Sequence, residues 1–384
     1  MFKRIWQGRL GGLRLTMVLA VLALLSLGLA CIHATGKHDY FHKQLFLIGL
    51  GICGFLAVNI VHYRKLGKLS GWFFVLTLFL LVIVLAGKYI DMPWLVPARK
   101  SAYRWLKLGP LQIQPSEIAK LSYILTLAWY LHNRRSYRRI SGLVGPFAIT
   151  LLPMALILLE PDLGTALLFP PVLFAVLFAA GAKLRYLLII IVVGLALSPL
   201  FYLKMRPYQQ NRVKVLLKQG TDDPFWLTGH GLQLHRSKIC IGSGQLTGQG
   251  WGKGIYVNYD YRLPESRNLP ERHNDFIFAL IGHQWGFVGC LVVLGLYALI
   301  ILGGIEIASE QTEPFGRLLA FGITVLLAVQ LWINIAMTMG LMPITGLTLP
   351  FISCGGSSLL SSFLALGLLV NVARRRPPSR IARN

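Results

Sequence analysis

Long apolar runs constrain this chain more than any other feature. A helix needs about 20 predominantly apolar residues to cross a bilayer core, and a scan at that length places roughly ten spans. They fall at about 14–34, 42–61, 72–90, 115–132, 144–159, 164–182, 185–203, 275–303, 316–340 and 353–372. Hydrophobic residues make up 55% of the 384 residues and charged ones 14%, with a mean hydropathy of +0.62, which excludes a soluble domain. Lipid leaves no partner for unpaired backbone groups, so runs of this kind become helices. The expected fold class is an all-α polytopic membrane protein, one domain over residues 1–384. It has about ten transmembrane helices and a large extracytoplasmic loop at about 204–274, between helices seven and eight. The first run follows Lys3, Arg4, Arg9 and Arg14 as a signal peptide would, but its length and the lack of a small-residue cleavage site favour a retained anchor.

The short loops set the orientation. Arg64, Lys65 and Lys68 follow span two, and Arg134, Arg135, Arg138 and Arg139 follow span four. Lys183 and Arg185 follow span six, and Arg374, Arg375, Arg376, Arg380 and Arg383 follow span ten. With ten crossings all of these share the side of the N-terminus, which puts both termini in the cytoplasm and loops 91–114 and 204–274 outside.

The 204–274 loop is nevertheless basic, with eleven Lys/Arg against five Asp/Glu. Long loops translocate whatever their charge, so the excess needs another cause. A lipid-linked phosphate would suit it, and so would plain attraction to acidic headgroups. No nucleic-acid partner is expected. Tyr208 to Leu217 (YQQNRVKVLL) fits a short interfacial helix. Gly242 to Gly254 (GSGQLTGQGWGKG) fails as a P-loop, because Lys253 precedes Gly254 rather than Ser or Thr and Thr247 takes the place of the first glycine. Its glycines read equally as irregular backbone able to approach a phosphate or as a flexible turn.

Acidic residues number only 14, so each position carries information. Glu117 and Lys120, in Gln114 to Lys120 (QPSEIAK), share a helix face at the outer end of span four and can pair inside the membrane. Glu160 and Asp162, in Glu160 to Ala166 (EPDLGTA), occupy the tight outer turn between spans five and six. Asp275, in Leu269 to Ala279 (LPERHNDFIFA), stands where the outer loop enters span eight. A carboxylate facing lipid costs about 2.5–3.5 kcal/mol, so Asp275 is expected to face protein or a water-filled cavity. Capping of the next helix by Asn274 or Asp275 is the plainer alternative. Four carboxylates and a lysine thus gather at one depth near Arg104, Arg212 and Lys238; two helix caps and one buried ion pair would be the purely structural account.

On these residues the chain resembles the SEDS family of bacterial cell-wall glycosyltransferases (RodA, FtsW and SpoVE), with its motifs nearest the RodA type. The resemblance runs from span one to span ten. It rests on Trp105 to Leu108 with Gln114 to Lys120, Glu160 to Ala166, Ser237 to Gly244 (SKICIGSG), Leu269 to Ala279, and Gly340 to Ser358 (GLMPITGLTLPFISCGGSS). It implies a ten-helix bundle in the cytoplasmic membrane of a bacterium that polymerises lipid II into glycan strands at the outer face, with Asp275 as the essential aspartate. Other elongation or division proteins are implied as partners, with a class B penicillin-binding protein as the transpeptidase. Departures from the family pattern are Asn274 for Thr, Cys354 for Tyr, and His283 and Gln284 where acidic residues are common. The loop also repeats Leu-Pro-Glu at 263–265 and 269–271.

The chemistry needs one base. Joining a sugar hydroxyl to an anomeric carbon that bears a lipid pyrophosphate requires proton removal from the acceptor, while the pyrophosphate leaves without an acid. Hydrolysis of a glycosidic bond, by contrast, uses two carboxylates. Asp275 is expected to be the catalytic base, acting on the GlcNAc 4-hydroxyl as it attacks polyprenyl-linked MurNAc with inversion. Lys120, Arg104, Arg212 and Lys238 are expected around the pyrophosphate, with Glu117, Glu160, Asp162 and Ser357 in the same binding site. A divalent cation, Mg or Mn, could share that duty on Asp162, Glu160 or Glu117, though no spacing demands one.

Five scattered cysteines read as apolar packers, and Pro153, Pro170, Pro171 and Pro199 as kinks or as the edge of a groove for a polyprenyl tail. Along span nine, Gly316, Gly322 and Gly340 are small residues that would let another helix approach, and Gln330, Asn334 and Thr338 recur every four residues on one face. This stripe suits either partner docking or packing inside the bundle. A lipid II flippase is the alternative function, and a non-catalytic scaffold of a cell-wall complex a third. A transporter would place ionisable groups near the midplane, whereas here they crowd the outer end.

Overall fold

The computed structural model describes residues 9–375 apart from 37, 88, 91, 98–102, 110, 135, 228, 255–268 and 270. In chain order the helices are α1 (Arg9–Ala34), α2 (His38–Ile60), α3 (Tyr63–Lys68), α4 (Ser70–Ala86), α5 (Pro115–Asn133), α6 (Val144–Leu159), α7 (Leu163–Ala166) and α8 (Phe169–Ala180). They continue as α9 (Leu184–Lys204), α10 (Pro207–Leu217), α11 (Pro224–Leu227), α12 (Leu232–Ser243), α13 (Ile277–Ser309), α14 (Pro314–Met339) and α15 (Gly356–Arg374). Each expected span has its helix. Among the described residues eight segments are long and apolar enough to cross a membrane, and Ser70–Ala86 is a shorter apolar helix. The remaining span, α5, carries Glu117 and Lys120, which lower its hydropathy.

The core is built around α14, which packs against α13, α5, α8, α12 and α15. By contrast α9 touches little beyond α8, and most of its surface is open. Span six is two pieces rather than one. Asp162 caps the short α7, and Pro170 and Pro171 sit in the first turn of α8, where a missing N–H costs nothing. Pro153 and Pro199 do lie inside helices.

The loop end of the bundle is more ordered than the sequence suggested. A two-stranded antiparallel hairpin, β1 (Leu106–Leu108) and β2 (Leu111–Ile113), precedes α5 and was not anticipated. The helix expected at 208–217 is α10, and the rest of the loop adds α11 and α12. The glycine run has a use other than phosphate. Helix α13 breaks at Gly286 (φ 64°, ψ −158°), which would strand backbone groups inside the bundle. The run fills the gap: Gln249 and Gly250 N–H donate to the carbonyls of His283 (2.9 Å) and Gln284 (3.1 Å). In return Phe287 and Val288 N–H donate to Gln245 (2.8 Å) and Leu246 (3.1 Å). Gly248 needs to be glycine, since its φ is +85° and a Cβ would stand 2.2 Å from the Gln284 carbonyl. The cysteines are free; Cys31, Cys240 and Cys290 are buried, Cys354 is partly so and Cys53 is exposed. Of the repeated Leu-Pro-Glu, residues 263–265 and 270 lie outside the described residues.

Candidate active site

The polar stripe of α14 forms the floor of the site. Gln330, Asn334 and Thr338 are all buried, so the docking reading of this stripe is corrected in favour of internal packing. The same holds for Gly316, which abuts Gln311 and Tyr63, and for Gly322, which abuts Ile124 and Val176. Asn334 Nδ2 donates to the carbonyls of Asp275 (2.9 Å) and Leu347 (2.6 Å), and Gln330 Nε2 donates to Thr348 (2.9 Å). One helix face therefore ties down both the entry to α13 and the irregular stretch 344–348.

Asp275 is half-buried immediately before α13. Phe276, not Asn274 or Asp275, stands at the N-cap of that helix, and the Asn274 amide donates to Glu271 Oε2 at 2.7 Å. The Asp275 carboxylate faces Gly346, where a built Cβ would lie 3.5 Å from Oδ2. Arg212, from α10, donates through Nη1 to the carbonyls of Ile344 (2.8 Å) and Thr345 (3.1 Å). Burial pulls its guanidinium pKa down, and Arg104 lowers it as well, while Tyr208, Asp275 and Asp162 act in the opposite sense. Arg104, Arg212, Asp162 and Asp275 thus share one electrostatic neighbourhood.

Arg104 straps the turn that holds Glu160 and Asp162. Its Nε donates to the Glu160 carbonyl (3.1 Å) and its Nη2 to that of Pro161, which also accepts from the Tyr208 hydroxyl at 2.7 Å. Asp162 Oδ2 accepts from Gln114 Nε2 (2.9 Å), Ser116 Oγ (3.3 Å) and Thr165 Oγ1 (2.9 Å), and Oδ1 accepts from Thr165 N (3.3 Å). Glu160 is 2% exposed, and neither carboxyl oxygen has a hydrogen-bond partner. Burial, helped by the Asp162 charge and opposed by Arg104, pushes its pKa up to about 9, which favours the neutral acid at pH 7.

The ion pair in α5 is present: Lys120 Nζ lies 2.8 Å from Glu117 Oε2, with both side chains buried. The approach is off the hydrogen-bonding angle, so the contact is mainly electrostatic. Lys120 also donates to Gln330 Oε1 at 3.1 Å, which turns its ammonium toward the α14 floor. Ser357 works as a latch, accepting from Gln114 N (2.9 Å) and donating to the Gln112 carbonyl (3.2 Å) to fix the hairpin on α15. Lys238 is not brought to this cluster. It is exposed on α12, where it bonds Gln219 (3.2 Å) and covers the Trp226 ring.

These positions do not fit a cation held by Asp162, Glu160 and Glu117. Glu117 is paired with Lys120, Asp162 already accepts four hydrogen bonds, and no group of three or more His, Cys, Asp or Glu is set for a metal among the described residues.

Residues 10–377 match the sequence profile of the cell cycle protein family that takes in FtsW, RodA and SpoVE. The chain is 33% identical over 379 residues to a probable peptidoglycan glycosyltransferase FtsW of Trichlorobacter lovleyi, covering 95% of this chain and 94% of that one. It is 32% identical over 364 residues to the peptidoglycan glycosyltransferase MrdB of Escherichia coli K12, covering 94% and 93%. Among solved structures, it superposes with a TM-score of 0.78 on a chain of a peptidoglycan synthase complex described as coordinating polymerization and crosslinking, at 30% identity over 93% of this chain and 96% of that one. The rod shape determining protein RodA of Thermus thermophilus superposes at 0.68, with 29% identity over 94% and 96%. With the family profile matched over residues 10–377 and relatives 32–33% identical along nearly the whole chain, this chain belongs to the FtsW, RodA and SpoVE family.

Proposed function

We propose that this chain, a peptidoglycan glycosyltransferase of that family, polymerises lipid II into glycan strands on the extracytoplasmic side of the cytoplasmic membrane. The observation that carries the reading is the placement of Asp275. Its backbone is anchored by Asn334, its carboxylate faces the 344–348 stretch, and Arg212 and Arg104 lie in the same electrostatic neighbourhood.

In this reading the Asp275 carboxylate takes the proton of the GlcNAc 4-hydroxyl as its oxygen attacks C1 of a MurNAc at the other end of the reaction. The new O4–C1 bond forms as the bond from C1 to the pyrophosphate oxygen breaks, with inversion, and the polyprenyl pyrophosphate leaves as an anion. Arg104 and Arg212 would stabilise that anion. Lys120 and Glu117 support the floor beneath, and no step requires a metal.

Crosslinking would fall to a class B penicillin-binding protein, consistent with the likeness to a chain of the synthase complex. With the α14 stripe turned inward, the docking surface left is the exposed apolar side of α13 (Phe287, Val288, Leu291, Val292) with Trp332. A role in elongation and rod shape follows from the RodA-like motifs; depletion should round the cells, and filamentation would point to division instead.

The test is product identity. Purified protein given labelled lipid II should yield lysozyme-sensitive strands of β-1,4 linkage. Movement of lipid II across liposomes without strand formation would favour the flippase reading and overturn this one.

A further inference from the structure

We propose that the cavity between α10 and the start of α12 is a subsite for the carboxylate-bearing peptide of the lipid-linked substrate, an inference that rests on the glycosyltransferase reading above. The cavity is about 390 Å³, and its lining includes Tyr208, Asn211, Arg212, His230, Gln233 and Ile344. That volume lies in the range of small-ligand sites.

The lining chemistry matches a peptide better than a pyrophosphate. Asn211 and Gln233 each offer donors and an acceptor, which suits amide groups of a bound chain. A pyrophosphate would call for several cations, whereas Arg212 is the one fixed cation among the described lining residues. Both of Arg212's carbonyl bonds use Nη1, which leaves Nε and Nη2 as donors at the boundary of cavity and site, one for a peptide carboxylate and the other for the departing pyrophosphate that Arg104 also holds. Asn211 Nδ2 lies 3.3 Å from His230 Nε2, joining the two sides of the rim.

Placement agrees with the substrate's connectivity. Ile344 lines the cavity, and Gly346, two residues on, faces Asp275. Two residues of extended chain cover at most about 7 Å. In lipid II the peptide branches from C3 of MurNAc, two carbons from the reacting C1. The peptide branch of a sugar reacting at Asp275 therefore starts within about one ring's length of the cavity.

The test uses full-length protein in detergent with two forms of lipid II, one bearing the pentapeptide and one trimmed to the first residue. The wild type is expected to show a KM about fivefold or more higher for the trimmed form, the worth of a single lost hydrogen bond or more. Asn211→Ala and Gln233→Ala should raise KM for the pentapeptide form toward the trimmed value, with kcat and thermal stability unchanged and the trimmed substrate unaffected. Equal use of both forms by the wild type, or a rise in both KM values in the variants, overturns the subsite. A fluorescent muramyl pentapeptide lacking lipid and pyrophosphate gives a readout without turnover: its anisotropy should report binding that Gln233→Ala weakens, and no binding, or binding that Gln233→Ala leaves unchanged, also overturns the proposal. Peptide binding without strands defeats only the glycosyltransferase reading, and strands without peptide discrimination defeat only this inference.

Discussion

Replacing Lys120 with Met removes one charge from a pair that water barely reaches. Lys120 is 2% exposed and Glu117 is 5% exposed, and their charges lie 2.8 Å apart. At an effective dielectric of about 20, two unit charges at that distance attract by about 6 kcal/mol before desolvation is subtracted. Taking away one partner leaves a buried carboxylate uncompensated, a loss of about 3–5 kcal/mol. Gln330 Oε1 loses its donor at the same time. Glu117→Gln should cost a similar amount by stranding the ammonium. The double variant Glu117→Gln/Lys120→Met removes both charges at once, so it should recover at least about 2 kcal/mol relative to the sum of the singles. Unfolding in mixed micelles with rising SDS, followed by tryptophan fluorescence, measures all four corners of the cycle. Single losses below about 1 kcal/mol, or additive effects in the double variant, would refute the buried pair as the brace of this end of α5.

Three further outcomes are expected. Asn334→Ala frees the carbonyls of Asp275 and Leu347, so stability should fall by about 2–4 kcal/mol and kcat by tenfold or more with the aspartate untouched, read by unfolding and strand synthesis. Glu160 is held protonated in the fold up to about pH 9, whereas the unfolded chain ionises in the ordinary carboxylate range. Its burial therefore carries no ionisation penalty at low pH, and stability falls as pH rises through that range toward about 9; Glu160→Gln should flatten this slope in thermal unfolding scans. Gly248→Ala forces a Cβ against the Gln284 carbonyl, and should destabilise by about 1–3 kcal/mol while weakening protection of the Phe287 and Val288 amides in hydrogen exchange.

The bundle itself was legible because its signal is hydropathy, which depends on composition over some twenty residues and tolerates irregular ends. The α5 ion pair was legible for a related reason: charges three residues apart at a membrane boundary have few other ways to be satisfied. What escaped was backbone pairing between distant segments. The break at Gly286 is invisible in an apolar helix containing several glycines, and the run at 242–254 shows its use only beside the carbonyls of His283 and Gln284. The inward direction of Gln330 and Asn334 was equally hidden, since a period of four residues identifies a face and says nothing of what it meets. Tyr208 was legible as the start of an interfacial helix but not as a partner of the turn. Its hydroxyl finds Pro161 only because α10 folds back over the turn at residues 160–162.

The central claim is that Asp275 acts as the base, and comparing wild type with Asp275→Asn in strand synthesis from labelled lipid II tests it most directly. Asn keeps the size and the backbone bond to Asn334, so thermal unfolding should be unchanged while polymerisation disappears across the pH range. Strands made by Asp275→Asn at the wild-type rate would contradict the account.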